Sequence, residues 1–461
     1  MIRPKLAVAM IVRNGGAGLA RCLASVRPFA GCIVVGDTGS TDQSREIARS
    51  FDAQVLEIPW EENFARARNL VLDAVTAEWV LWLDADEMLD PQGGAMLAGL
   101  IARTDVDAWE VWRWNYVNSR NSRSGGLLAE ANPGLLAEAR AYPAYTRYIN
   151  TLLFRRLPGL YFEHAVHESV ARRVRALGLR VDEAPFVIHH FGFVEGGEAM
   201  RREKNERYHK LGLRKIEEDP QDAWAYYELG LSELEHHRDP AAAYRRFMQS
   251  LQWHPEHRVA RIYAGICLTR LGRHAEAMQW LKSVADEGFR SALLAEALGD
   301  LCFCKGDLPE AVRWFAEAGD APVIAAKRGA CEVRLGDRVS GLKRIEEAVA
   351  REPEAGELAE IQAAAHFEAG QPEEAAAAAQ RRLLIGEPSV SSFVVAAALE
   401  AHLGRWTKAL ETLQAGLQRH PGNAELLREI PVAEEKAERQ RRGTRDERRG
   451  TRDEGTVNSE Q

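Results

Sequence analysis

The feature that most constrains this 461-residue sequence is a row of glycines, Gly272, Gly306, Gly336, Gly370 and Gly404, spaced 34, 30, 34 and 34 residues apart. Each is followed five residues later by a small residue: Ala277, Ala311, Gly341, Ala375 and Ala409. Ala243 extends that second series backwards by a further 34. Such a period fits a helical hairpin in which the small residue lets the two helices approach closely. A hairpin of this kind cannot bury its apolar face alone, so stacked neighbours have to complete a continuous core. About six units are implied between 219 and 431, the one from 306 to 336 being four residues short. The C-terminal half is therefore expected to be an all-α helical solenoid.

The N-terminal part has a different rhythm. Apolar Leu6 to Val12, Cys32 to Val35, Gln54 to Ile58 and Trp79 to Leu83 alternate with amphipathic stretches at 17–28, 41–52 and 64–75. This is a βαβ pattern, and short, wholly apolar strands imply a mostly parallel sheet with helices on both faces. Ligands of such sheets bind beyond the carboxyl ends of the strands, so the residues after each strand carry the argument. Strand-like runs at Trp109 to Tyr116 and Thr151 to Arg155 add to the sheet around a mobile loop at 118–134. A charged, helical stretch follows, and Asp219-Pro220 marks a boundary. The expected domains are 1–195, a helical linker at 196–218, repeats at 219–431, and a charged, disordered tail at 432–461 that contains Arg-Arg-Gly-Thr-Arg-Asp-Glu twice.

Bulk properties narrow the function. Sixty basic residues against 68 acidic ones give a net charge of -8, which disfavours a nucleic-acid partner. Six scattered cysteines form no Cys-x-x-Cys pair and read as buried small residues. The run Leu6–Val12 ends in Arg13-Asn14 rather than a cleavage site, and no stretch nears the ~18 to 20 apolar residues of a membrane helix. A cytoplasmic protein, at most peripherally attached to a membrane, is expected.

Asp84-Ala85-Asp86 directly follows an apolar strand. Two carboxylates two apart at a strand end can hold Mg²⁺ or Mn²⁺ through hard oxygen ligands. Asp-x-Asp alone is also a solvated turn, and its position after the strand is what favours the metal reading. Gly36-Asp37-Thr38-Gly39-Ser40-Thr41-Asp42 follows the second strand; its small residues admit a ligand to the backbone, and Asp37 can accept hydrogen bonds from a base or ribose. Arg13-Asn14-Gly15-Gly16 is the third post-strand cluster. His189-His190 follows a further apolar run, where either a metal ligand or a structural role fits, and alternation lets only one of the two point inward. Trp109, Trp112, Trp114 and Tyr116 read as core before they read as a sugar platform.

Met-Ile-Val-Arg-Asn at 10–14, Gly-Asp-Thr-Gly-Ser-Thr-Asp at 36–42, Asn-Phe-Ala-Arg-Ala-Arg-Asn at 63–69 and Trp-Leu-Asp-Ala-Asp-Glu at 82–87 together resemble the family 2 glycosyltransferases of GT-A fold. Trp224-Ala-Tyr-Tyr-Glu-Leu-Gly230 resembles the first helix of a tetratricopeptide repeat, and one subgroup of the family joins the two domains. The resemblance implies an inverting, metal-dependent transferase that takes a nucleotide-diphosphate sugar, a UDP-sugar first. It implies that Val12, Asn14, Asp37, Thr38, Gly39, Arg68, Asp84 and Ala85 line the donor site. Within that set Asp37 would meet the uracil, Arg68 the nucleotide, and Asp84 the ribose or metal. Asp86 and His190 would hold Mn²⁺ or Mg²⁺.

One departure concerns the base, because the Glu-Asp pair usual in the family is missing from the expected region. An inverting transfer needs a carboxylate to deprotonate the acceptor. Glu168, beside His167, is the first candidate and Glu163 the second; surface pairing with Arg172 or Arg173 is the competing account of both. The repeats suit a peptide or protein acceptor, and equally a homodimer contact. Nucleotidyl transfer, and a repeat scaffold carrying an inactive sugar-nucleotide domain, are the alternatives.

Overall fold

The computed structural model describes residues 5–454 apart from 121, 125, 126, 166, 167, 196 and 197. It divides into two compact units, Met1–Phe289 and Arg290–Gln461. In the first, strands β1 (Leu6–Val12), β2 (Cys32–Asp37), β3 (Gln54–Glu57), β4 (Trp79–Trp82), β5 (Glu87–Leu89) and β6 (Ala108–Val117) are followed by three two-residue strands. These are β7 (Arg123–Ser124), β8 (Leu127–Leu128) and β9 (Glu130–Ala131); β10 (Ala144–Arg155) and β11 (Val181–His190) complete the set. The main sheet runs β3-β2-β1-β4-β10-β6-β11-β5, with β9 beside β10.

The sheet is covered on both faces. Leu6, Val8, Met10 and Val12 of β1 join Leu19 and Leu23 of α1 (Gly16–Val26) in one core, which also takes in Ala48 of α2 (Ser44–Ser50) and Leu97 of α4 (Pro91–Ala102). Ala7 and Ala9 face the other way, against Val71 and Leu72 of α3 (Phe64–Ala74) and Val174 of α5 (Ala171–Ala176). Both faces of β1 are thus apolar, which is why its sequence does not alternate. The parallel pattern expected from the sequence holds for β3-β2-β1-β4; beyond β4 the sheet is mixed, because β10 runs antiparallel to both β4 and β6. The chain reaches β10 from β6 with no crossover helix, and only a crossover would return it parallel.

Register fixes where the site lies. Val12 pairs with Asp37 and Ala9 with Trp82, so β1, β2 and β4 end at one edge of the sheet and the residues after them share it.

Helix α6 (Glu198–Glu218) leads into hairpins α7 (Ala223–Glu235) with α8 (Pro240–Trp253), and α9 (Arg258–Arg270) with α10 (His274–Asp286). The second unit holds α11 (Ala292–Lys305), α12 (Leu308–Ala318), α13 (Pro322–Arg334), α14 (Arg338–Arg351) and α15 (Gly356–Glu368). It continues with α16 (Pro372–Arg382), α17 (Val390–His402), α18 (Trp406–Arg419) and α19 (Ala424–Glu454). The repeating glycines have φ of +74° (Gly272), +80° (Gly306), +101° (Gly336), +78° (Gly370) and +72° (Gly404), a left-handed conformation that ends each first helix and that other residues resist. Elsewhere closeness decides: a Cβ on Gly299 would lie 2.6 Å from the Phe315 ring, and one on Gly265 would lie 2.7 Å from Leu281. Overpacking of that kind costs about 1–3 kcal/mol. The short unit combines an 11-residue second helix, α12, with a connection of only 319–321 to α13; α16 is as short, but 383–389 follows it before α17.

The charged stretch from 432, expected as a disordered tail, is helical as part of α19 as far as Glu454. Arg439 pairs with Glu435 at 2.6 Å and Arg442 with Glu438 at 3.8 Å, both one helical turn apart, which is how so polar a sequence supports a helix. No helix among the described residues is long and apolar enough to cross a membrane.

Burial holds two imidazoles down to about 4, His189 in the sheet and His257 between Trp224 and Tyr227. Their ordinary value is 6.5, so between about 6.5 and 4 the unfolded chain binds protons that the folded one does not. Stability is therefore expected to fall as pH drops through that window. Denaturant titrations at pH 7 and pH 5 should show it, and His257→Gln should reduce the difference.

Candidate active site

The first two loops are stitched to each other. Thr38 donates twice to the Val12 carbonyl, from its backbone N–H at 2.9 Å and its hydroxyl at 3.1 Å. The Asn14 N–H donates to Ser40 Oγ at 2.9 Å, and Asn14 Oδ1 accepts from the Thr41 N–H at 2.8 Å. Asn14 sits at φ +55°, a conformation its short amide tolerates. Asp37 ends β2 and is 1% exposed; its Oδ1 accepts from the Gly39 and Ser40 N–H groups at 3.2 and 3.1 Å and from Arg45 Nε at 2.8 Å. Burial opposes ionisation here, but the hydrogen bonds from Ser40, Arg45 and Gly39 outweigh it and hold the carboxyl below its ordinary value. Gly39, at φ +103°, makes the turn. The structure thus gathers Val12, Asn14, Asp37, Thr38 and Gly39 into one braced surface, with Asp37 as its anchor.

The third loop carries a buried ion network. The Asp84 N–H donates to Glu87 Oε2 at 2.8 Å and the Glu87 N–H returns a bond to the Asp84 carbonyl at 3.0 Å, so the Asp-Ala-Asp-Glu turn closes on itself. Arg68, on α3, donates through Nη2 to Asp84 Oδ1 at 2.9 Å and through the same atom to Glu168 Oε1 at 2.5 Å. Arg113, on β6, pairs with Glu87 through Nε, lies 3.6 Å from Asp84, and donates to the Tyr148 hydroxyl at 2.9 Å. Two guanidinium groups thus face three carboxylates. Burial pushes Asp84 up, but Arg68 and Arg113 bring it below its ordinary value. Glu87, 0% exposed, keeps the burial penalty and is pushed up to about 7, Arg113 offsetting it only in part.

Asp86 points elsewhere. Its Oδ1 lies 3.4 Å from His190 Nε2, while His190 Nδ1 bonds to Asn115 Oδ1 at 2.6 Å. Since an amide oxygen only accepts, Nδ1 is the donor in that bond, and Nε2 is the nitrogen left facing Asp86. Gly192 makes the space: a Cβ there would stand 2.2 Å from Asp86 Oδ2 and 2.7 Å from His190 Nε2. No group of three or more His, Cys, Asp or Glu residues gathers at metal-ligand spacing among the described residues, so protein atoms offer a cation two ligands here. Ala85 packs against the core below.

The remaining candidates separate. Glu168 joins the network; Glu163 does not, pairing with Arg172 at 3.9 Å, and its backbone bridges Ser169. His167 lies outside the described residues. His189 faces inward against the Tyr116 hydroxyl at 2.8 Å, and Trp109 and Tyr116 are core. Sequence reasoning missed Arg113, Asn115, Glu87, Gly192 and Tyr208. Glu87 stood in the quoted motif; Arg113 and Asn115 follow an alternation along β6 that places both on one face; Tyr208 had no signal beyond an aromatic residue in a charged helix.

Residues 7–159 match the family model "Glycosyl transferase family 2". The N-terminal domain is a family 2 glycosyltransferase domain. Residues 234–301 and 332–390 match models described as tetratricopeptide repeat. The chain is 30% identical over 259 residues to a TPR repeat-containing protein of Synechococcus elongatus, covering 55% of this chain and 58% of that one. It is 29% identical to the SPbeta prophage-derived glycosyltransferase SunS of Bacillus subtilis (21% of this chain, 23% of that one). It is 31% identical to the lipopolysaccharide core biosynthesis glycosyltransferase LpsC of Rhizobium meliloti (25% and 44%). The chain therefore spans less than two thirds of each of these relatives. The matched region of the glycosyltransferase domain ends before Glu168, His190 and Gly192, so geometry alone brings these three to the edge of the sheet where β1, β2 and β4 end.

Gly192→Ala tests the cradle. The clash falls on the ends of two side chains, which can swing aside, so thermal unfolding is expected to stay within a few degrees of the parent. Mn²⁺ affinity, read by titration, is expected to fall about tenfold or more.

Proposed function

We propose that the glycosyltransferase domain moves a sugar from a nucleoside diphosphate, a UDP-sugar first, to an acceptor oxygen, nitrogen or sulfur in one displacement with inversion. The observation that carries this reading is the convergence, at one edge of the sheet, of the braced Asp37 loop, the Arg68–Asp84 pair and the Asp86–His190 pair with a gap beside Gly192. The last pair fits a divalent cation, with a carboxylate oxygen and an imidazole lone pair as ligands and the other positions left to diphosphate oxygens and water. A bound Mg²⁺ or Mn²⁺ supplies neutralisation of the charge that develops on the leaving diphosphate.

The protein's part is holding and proton transfer. The 36–42 loop receives the nucleoside, and Asp84 accepts from a ribose hydroxyl. Arg68 and the open face of the turn at 84–87 orient the diphosphate. The acceptor atom attacks the anomeric carbon, the carbon–oxygen bond to the diphosphate breaks with its electron pair passing to that oxygen, and Glu168 takes the acceptor's proton. A positioned base contributes about 10²–10⁴-fold. Glu168 is preferred over Glu163 because it alone reaches the Arg68 network. The repeats suit a peptide or protein acceptor, since stacked hairpins offer an extended surface.

Thermal unfolding against a panel of nucleoside diphosphate sugars, with Mn²⁺ and with chelator, tests the reading, because a ligand that binds only the folded state stabilises it by mass action. One donor should raise the transition when metal is present and fail to do so in Asp86→Ala. Glu168→Gln should retain the donor shift and lose transfer by about a hundredfold or more. A panel without any shift would favour a scaffold whose repeats do the work.

A further inference from the structure

One atom, Arg68 Nη2, serves both halves of the site: it holds Asp84 Oδ1 at 2.9 Å on the donor side and Glu168 Oε1 at 2.5 Å on the acceptor side. The guanidinium is 8% exposed and rests over the rings of Trp82 and Phe162, with centroids at 5.0 and 5.3 Å. Its Nε has no hydrogen-bond partner among the described residues. Arg68 is therefore a buried cation with donor capacity to spare, fixed by two aromatic faces and shared between two carboxylates. Glu168 is as enclosed as its partner, with a side chain 9% exposed. At that distance the guanidinium occupies the carboxylate oxygen that an acceptor's proton would have to reach.

We propose that Arg68 is a positioning residue that couples the two substrates: a bound nucleoside diphosphate draws its guanidinium away from Glu168, and only then is that carboxylate free to take the acceptor's proton. The inference rests on the transferase reading and adds an order to it. Before the donor arrives, two cations are shared among three carboxylates, and Glu168 is held. The diphosphate brings further negative charge to the edge where Arg68 lies and competes for its donors. Once engaged there, Arg68 no longer occupies Glu168 Oε1, and that oxygen is open to the acceptor's proton. A site built this way orders the two substrates, donor first and acceptor second. Tyr208 of α6 closes the same spot. Its ring stacks on Phe64 at 6.0 Å, and burial, followed by the charges of Glu168 and Asp84, pushes its hydroxyl well above the ordinary value.

Coupling through Arg68 has an opposite-signed signature that a merely structural ion pair lacks. If Glu168 competes with the nucleotide for Arg68, removing its charge should tighten donor binding while abolishing transfer. The probe is UDP with Mn²⁺, titrated calorimetrically into the full chain, wild type and Glu168→Gln. The expected result is a dissociation constant about tenfold lower in Glu168→Gln. Arg68→Gln supplies the control: in that background the added Glu168→Gln change should have no effect on UDP affinity, whereas a field acting directly between Glu168 and the diphosphate would still tighten it. Unchanged or weaker UDP binding in a Glu168→Gln protein that unfolds at the parent's temperature overturns the coupling and leaves the transferase reading standing. If Glu168→Gln is unstable, Glu168→Asp replaces it: its carboxylate is one methylene shorter and loosens the pair, so a smaller tightening supports the proposal and no change overturns it. Failure of UDP, GDP and dTDP alike to bind the wild type removes the transferase reading and the coupling with it.

Discussion

The structure depends on burying charge at the centre of a sheet. Arg68 and Arg113 come from a helix on one face and a strand beyond β4, and they meet Asp84, Glu87 and Glu168 where water is largely excluded. Such a cluster is a poor source of stability, since desolvation consumes most of the attraction, and well-packed apolar residues would serve the fold as well or better. Breaking one partner, by contrast, leaves an uncompensated charge at a cost of about 3–5 kcal/mol. The arrangement is understandable as preorganisation: the dipoles and charges that a phosphate or a sugar hydroxyl will need are already in place.

The rest of the first unit serves that edge. β1 and β2 end in register, so two polar loops start from one line and brace each other through Thr38, Ser40 and Asn14. β5 pairs with β11 so that Glu87 stands opposite His190, and the Phe191 N–H donates to the Asp86 carbonyl at 3.0 Å. The Asp86–His190 approach is therefore set by backbone pairing before any ligand is present. Arg21 of α1 adds a clamp, binding Glu195 at 2.6 and 2.9 Å and covering Phe191, which holds the chain after β11 against the first helix. The hairpins follow a simpler rule, a glycine where the backbone turns left-handed and a small residue where a ring or a leucine must fit.

Much of this was legible in the sequence. The parallel strands, the three post-strand clusters and the glycine period each follow from a local rule whose physical cause survives in the fold. Site assignments made from motif position fared unevenly. Asp37 proves to be an internal anchor, because three donors from its own loop and from Arg45 already occupy it. Glu168 and Glu163 could not be separated from spacing alone; they lie five residues apart, yet only one reaches Arg68. Arg113, Asn115 and Tyr208 were hidden because their roles arise from the antiparallel half of the sheet and from a helix that reads as a linker. The alternation along β6 puts Arg113 and Asn115 on one face, but it does not say which partners long-range pairing will bring to them. The helix through the charged C-terminal stretch was missed because composition argued for a solvated chain, while pairs one turn apart favoured a helix.

The central claim is that the carboxylate cluster at the strand ends is a sugar-nucleotide site. A crystal structure with UDP and Mn²⁺ tests it most directly. The account predicts the base against the Asp37 loop, the ribose at Asp84, the ion between Asp86 and His190 beside Gly192, and Arg68 turned from Glu168 towards the diphosphate. Nucleotide bound away from this edge, or an ion held without Asp86, would contradict it.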